Sequence, residues 1–237
     1  SYMFVNVTDG EHTVYVKAID KAGNVNVSTV TFVVDTTPPV IMIIYPNTSY
    51  LAASNITVVW NCSDENLDHY EVRLDNGSWI YVGLNTSYTF INVTDGEHIV
   101  YVRAMDKAGN ARIDNVTFIV DTVSPSIIIS SPSMYYLSVS NVTVAWSGFD
   151  ENLDYYEVRR DNGSWIYVGL NTSYTFINVT DGEHVVFVKA VDKAGNVNMS
   201  TITFIIDMTP PVVLVITPTN CSYLNATTIV VNWSVID

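Results

Sequence analysis

At 237 residues, with 24 Asp and Glu against 10 Lys and Arg, the chain carries a formal net charge of −14. That balance repels phosphate backbones and argues against a nucleic-acid partner. Hydrophobic residues make up 48 % of the chain, enough to build cores, but no apolar run approaches the roughly 18 residues of a bilayer-spanning helix, so no membrane contact is expected within this span.

Residues 2–5 form the first predicted strand. The next stretch, residues 9–24, opens on Asp9-Gly10 and closes on Lys21-Ala22-Gly23-Asn24. Between these turns His12, Val14, Val16 and Ala18 alternate with Thr13, Tyr15, Lys17 and Ile19. Period two means a strand with one buried face, and the closing glycine can take φ > 0. Residues 30–34 follow as a strand. Asp35-Thr36-Thr37-Pro38-Pro39 then ends the sheet, because proline donates nothing to a ladder.

The stretch 9–24 returns at 95–110 and at 181–196, 86 residues later each time. A fixed period of this length marks a tandem of folding units. Residues 1–37 read as the last part of one repeat, 38–123 and 124–209 as complete repeats, and 210–237 as the first part of another. The chain is expected to be a window on a longer array.

Within 38–123 the predicted strands are 40–45, 56–60, 70–74, 79–82, 87–91, the strand from His98, and 115–120. Asp75-Asn76-Gly77-Ser78 is the expected hairpin turn, because Asn76 and Gly77 both tolerate φ > 0. Seven short strands without helical periodicity specify an all-β, immunoglobulin-type sandwich. The second complete repeat follows the first closely. From Asp150 to His184 it differs from Asp64 to His98 only at Tyr155, for His69, and at Arg160, for Leu74.

Val58-Val59-Trp60, Tyr70-Glu71-Val72-Arg73 and the alternating run from His98 to Ala108-Gly109 resemble the B, C and F strands of fibronectin type III modules. Where that family has a tyrosine, this chain has His12, His98 and His184. The run from Asp-Gly-Glu-His to Asp-Thr-Thr-Pro-Pro is similar to the tandem immunoglobulin-like repeats of prokaryotic, including archaeal, adhesins, surface-layer proteins and extracellular filaments. The resemblance implies an extracellular, cell-surface protein. It is specific for fold and weak for function, because this sandwich carries many functions.

The strongest chemical signal is Asn-x-Ser/Thr, the N-glycosylation sequon. Seventeen of the 22 asparagines lie in one: Asn6, Asn26, Asn47, Asn55, Asn61, Asn76, Asn85, Asn92, Asn115, Asn141, Asn162, Asn171, Asn178, Asn198, Asn220, Asn225 and Asn232. Ser and Thr make up about a fifth of the chain, so chance would give about four. Dense covalent N-linked glycans are expected, shielding the sheet edges.

Acidic residues cluster second. Asp64, Glu65 and Asp68 in the B–C loop, Asp106 in the F–G loop and Asp35 in the entering linker share one pole of the sandwich. Asp150, Glu151, Asp154, Asp192 and Asp121 are their counterparts in the second repeat. Hard oxygens gathered this way suit Ca²⁺, which takes about 6–8 of them. The alternative is solvated, turn-forming acids.

His12, His98 and His184 recur with the repeat, which points to a structural hydrogen bond rather than catalysis, and no nucleophile beside a base stands out. Trp60, Trp146 and Trp233 are expected in cores. Trp79 and Trp165, beside Tyr81 and Tyr167, are expected to pack across the sheet, with stacking on sugars or a neighbouring chain as the alternative. Cys62 and Cys221 do not align with each other and are expected as buried free thiols.

The function expected is therefore a non-enzymatic, glycosylated filament, stalk or surface-layer segment, with copies of itself as partners. The alternatives are an adhesin that holds cell-surface glycans or proteins, and a spacer attached to a secreted enzyme. The array either continues as one long chain or grows by head-to-tail strand donation.

Overall fold

A computed structural model describes residues 1–237. The chain divides into two compact units, Ser1–Thr122 and Val123–Asp237. Every regular element is a strand.

The first unit opens with β1 (Gly10–Ile19) and β2 (Val25–Val34), which pair antiparallel from Gly10↔Val34 to Ile19↔Val25. Residues 2–5, expected as a strand, join no ladder. Their counterpart is β8 (Ser87–Phe90), which pairs only with β5 (Ile56–Ser63), and no such partner stands beside residues 2–5. The remaining strands are β3 (Val40–Tyr45), β4 (Tyr50–Leu51), β6 (Leu67–Leu74), β7 (Ile80–Gly83), β9 (Gly96–Asp106) and β10 (Ala111–Val120). They form a three-stranded sheet, β3-β5-β8, and a five-stranded sheet, β4-β10-β9-β6-β7. Eight strands replace the expected seven. The extra one, β4, is a two-residue parallel pairing with β10, too short to show a period.

Alternation builds the core between these two sheets. Val58 and Trp60 of β5, Val72 of β6, and Val100, Val102 and Ala104 of β9 are fully buried, with Phe118 and Val120 of β10 at 1 % exposure. Trp60 meets Tyr70 edge-on, with ring centroids 5.6 Å apart. Burying one such side chain contributes about 1.5–3 kcal/mol. The hairpin β1–β2 repeats the sequence of β9–β10, yet Val16 and Phe32 stay exposed, because no second sheet covers them.

The second unit comprises β11 (Ser126–Ser131), β12 (Tyr136–Leu137), β13 (Val142–Phe149), β14 (Leu153–Arg160), β15 (Ile166–Gly169), β16 (Ser173–Phe176), β17 (Gly182–Asp192), β18 (Val197–Ile206), β19 (Val212–Thr217) and β20 (Asn232–Ile236). Its sheets are β11-β13-β16, β12-β18-β17-β14-β15 and the pair β19-β20. Trp146, Val144, Val158, Val186, Val188 and Phe204 make its core. Trp233, expected in a core, is 61 % exposed. Trp60 and Trp146 are covered edge-on by Tyr70 and Tyr156, a contact that Trp233 does not make.

The Asn-Gly hairpin connection is one residue longer than expected, because Trp79 stays outside β7. β6 ends at Leu74 and β7 begins at Ile80, so five residues connect them. The residue at positive φ is Asp75, at 50°, rather than Asn76 or Gly77. Gly77 is needed for close approach instead: its N–H donates to Leu74 O at 3.0 Å, and a Cβ there would stand 3.0 Å from the same oxygen. The closing glycines behave as expected, with Gly109 at φ +92°.

The thiols also depart from expectation. Both cysteines are free, but Cys62 is only half-buried and Cys221 is exposed. Cys62 sits near the end of β5, where the sheets part, and Cys221 lies in the loop before β20.

Candidate functional site

Three groups of residues carry chemistry. The first is the asparagines. All seventeen sequon asparagines are exposed. The five outside sequons are Asn24, Asn66, Asn110, Asn152 and Asn196, and all but Asn24 are half-buried. These four hold the loops at one pole of each sandwich. Asn66 N–H donates to Asp64 Oδ1, and its Nδ2 donates to Asp35 Oδ2, each at 2.8 Å. Asn110 Nδ2 donates to Asp106 Oδ2 at 2.7 Å and to Asp35 O at 3.0 Å. Asn196 repeats the bond to its own aspartate, Asp192. Thus the four half-buried asparagines that brace the loops of this pole lack the sequon, and all seventeen with the sequon are exposed, although Asn55 and Asn141 each accept one backbone bond through Oδ1. Asn198 is the one sequon asparagine whose Nδ2 makes a close bond, to Pro125 O at 2.9 Å.

The second group is acidic. Asp35, Asp64 and Asp106 bring one carboxylate oxygen each within 4.8 Å of one another. Asp106 is 3 % exposed. Its burial opposes the charge, but donors from Asn110, Ala108 and Gly109 outweigh that and hold its pKa below the usual value. No lysine or arginine pairs with the three acids. Like charges gathered at this distance repel one another. A hard divalent cation fits this donor set, and Ca²⁺ takes oxygens of this kind.

Glu65 and Asp68 stand outside the cluster and exposed. Asp68 falls inside β6 rather than in the loop, and its carboxylate takes His69 Nδ1 at 2.7 Å. In the second unit Asp150 and Asp192 lie within the same 4.8 Å of each other, while Glu151 and Asp154 are exposed. Asp121 belongs to the first unit, just after β10, where its N–H donates to Leu51 O.

The third group lies on the outer face of the five-stranded sheet. Arg73 lies 4.8 Å from the Trp79 ring centroid and 4.4 Å from that of Tyr101, and Arg103 lies 4.5 Å from Trp79. Arg103 also pairs with Glu71. The second unit repeats this with Arg159, Trp165, Phe187, Lys189 and Glu157. Cation–π contacts of this kind contribute about 0.5–2 kcal/mol each. Trp79 and Trp165 therefore pack across the sheet as expected, and the rings left exposed are Tyr81 and Tyr167, at 68 % and 66 %.

The recurring histidines are structural. His98 Nδ1 donates to Asp75 Oδ2 and Nε2 to Thr94 O, each at 2.8 Å. His184 does the same with Asp161 and Thr180, and His12 Nε2 reaches Thr8 O at 2.7 Å. The imidazole thus makes the upstream backbone bond that a tyrosine makes in related sandwiches. Desolvation lowers the His98 pKa, but its bonds to Asp75 and Thr94 raise it more, and the net shift is upward.

No protein-family model matches the sequence. The chain is similar to a Kelch domain-containing protein of Sulfurisphaera tokodaii, with 26 % identity over 195 residues. Those residues are 81 % of this chain and 25 % of that protein, so the chain spans about a quarter of its relative. Among solved structures, the fibronectin(III)-like modules of Clostridium thermocellum CbhA superpose with a TM-score of 0.51 at 11 % identity, covering 70 % of this chain and 94 % of theirs. The fold is that of tandem fibronectin type III-like, immunoglobulin-like sandwiches. A bacterial 1.5-MDa ice-binding adhesin is also similar, at 18 % identity and a TM-score of 0.38 over 85 % of this chain and 76 % of that one. At that score the likeness says nothing further about this chain.

Proposed function

We propose that this chain is a structural segment of an extracellular, N-glycosylated array of sandwiches, built into a filament, stalk or surface layer and not catalytic. The observation that carries this reading is the partition of asparagines. Seventeen exposed side chains meet the sequon, while the four half-buried ones that brace the loops do not. Turn and edge preferences of Asn, Ser and Thr predict no such division. A glycan sheath would shield the exposed sheet edges from pairing and proteolysis. The adhesin reading is weaker, because the tryptophans that would stack on a ligand already carry cations over their rings. Mapping sugars on the native protein tests the proposal. Most of the seventeen sites are expected to be occupied, and bare asparagines throughout would overturn it.

Stiffening by Ca²⁺ is proposed alongside, on the convergence of Asp35, Asp64 and Asp106. Chelator is expected to lower the melting temperature of the first unit, and added Ca²⁺ to restore it. Identical melting in chelator and in Ca²⁺ would leave the acids as solvated, turn-forming groups.

A further inference from the structure

The edge of the first sandwich, between the two sheets, opens into a groove of about 400 Å³. Leu74 and Asp75 lie on one side, the rings of Tyr88 and Phe90 belong to the other sheet, and Asn92 and His98 complete the lining. We propose that this groove is an intramolecular carbohydrate seat that holds the first sugars of the glycan carried on Asn92. The proposal rests on the glycosylation reading above and deepens it at one site.

The attachment point is already in place. Asn92 is exposed on the groove and held at φ 54°. Its N–H donates to Asn55 Oδ1 at 3.1 Å, and the next amide, Val93 N–H, donates to Ser54 O at 2.8 Å. A sugar tethered here meets the groove at high effective concentration, so even weak contacts suffice to seat it. The lining suits the ligand. A pyranose presents apolar C–H faces and a rim of hydroxyl donors. Half-buried Tyr88 supplies the aromatic surface, with Phe90, 7 % exposed, edge-on behind it at a centroid distance of 4.9 Å. The Asp75 side chain is 41 % exposed. Its two oxygens take His98 Nδ1 and Ile99 N–H, which leaves each a lone pair for a sugar hydroxyl. The volume lies at the small end of the range for ligand sites, about 300–1,000 Å³.

The second repeat is a natural control. Arg160 replaces Leu74, and its guanidinium carbon lies 5.8 Å from the Phe176 ring centroid while Nε lies 3.6 Å from Asp161 Oδ2. The arginine thus brings a competing cation beside the ring and the carboxylate that the sugar would use, although the Asp161 side chain, at 40 % exposed, is no more covered than that of Asp75. The backbone bonds are otherwise matched: Asn178 N–H donates to Asn141 Oδ1 and Val179 N–H to Ser140 O. The glycan on Asn178 therefore stays in solvent.

Site-resolved hydrogen exchange on the native chain, and on the same chain made in a host without N-glycosylation, tests this. Glycosylation is expected to slow the Asn92 and Val93 amides about two- to tenfold, and to leave those of Asn178 and Val179 unchanged. Leu74→Arg should erase the protection in the first repeat, and Arg160→Leu should create it in the second. A sugar found on Asn92 by mass, with equal exchange in both forms, overturns the seat and leaves the glycosylation reading intact. Asn92 found bare overturns the seat whatever the other sequons carry, and all sequons found bare overturns both.

Discussion

The two complete repeats are close copies, almost identical from Asp64 to His98 and its counterpart, and where they differ is instructive. Val58, Trp60, Val72, Val102 and Phe118 in the first match Val144, Trp146, Val158, Val188 and Phe204 in the second, and all are at most 3 % exposed. Inside, the changes are conservative, such as Ile56 to Val142 and Val120 to Ile206, and the larger ones lie at the rim. Cys62-Ser63 becomes Gly148-Phe149, Leu74 becomes Arg160, and Asp114, which accepts from Ile43 N–H at 2.8 Å, becomes Ser200. Packing tolerates little change inside and much outside. One rim change still reaches inward. A Cβ added at Gly148 would stand 2.6 Å from the Tyr156 hydroxyl and 2.9 Å from Ser126 O. In the first copy the Cys62 thiol hydrogen-bonds the Tyr70 hydroxyl instead, and burial, with Cys62 next, pushes that phenol up to about 12.

The largest effect should fall equally on both copies. Trp60→Ala and Trp146→Ala are each expected to destabilise their own unit by about 3–5 kcal/mol, read by denaturant dependence of hydrogen exchange in each unit. A cost confined to one would show that the two cores are not equivalent. Gly148→Ala should separate the copies. It forces Tyr156 aside for about 1–3 kcal/mol, while Cys62→Ala, which only removes a half-buried thiol, should cost less than about 1 kcal/mol. Equal costs would mean that Tyr156 shifts freely.

The third contrast is with pH. The His98 pKa is raised by its bonds to Asp75 and Thr94, against desolvation, so its contribution is full below the unfolded value near 6.5 and is lost as pH rises through the folded value. The Asp75 pKa is lowered by Ile99 N–H and His98, again against desolvation. Its contribution is full above the unfolded value near 3.8 and is lost as pH falls through the folded one. The pair is therefore strongest in mild acid. Titration of His98 by NMR should show the upward shift, and Leu74→Arg, which brings a competing cation to Asp75, should reduce it. A titration that this substitution leaves unmoved would contradict the role given to Asp75.

Much of this was legible from residues alone. The 86-residue period and the alternation from His98 to Asp106 specify the sandwich, because period two has one structural meaning. The structural role of the histidines followed from their recurrence. What is not legible depends on neighbours distant in sequence. The sequence alone puts Asp68 in a loop, but β6 begins at Leu67, which pairs with Asp106 of β9, and Asp68 is the unpaired residue at the register shift before His69, outside the Asp35 cluster. The cations over Trp79 come from β6 and β9, and no local pattern announces them. The bracing role of Asn66, Asn110, Asn152 and Asn196 needs the structure, although the sequence carries a signal: they recur at fixed loop positions and lack Ser or Thr two residues on.

That division of asparagines carries the functional account, and peptide mapping of the native protein after intact-mass measurement tests it most directly. The account predicts a mass well above the 26.3 kDa of the polypeptide. Sugars should lie on most of the seventeen exposed sites, with Asn198 the least occupied because its Nδ2 is already bonded to Pro125 O. A native mass equal to the polypeptide would contradict it.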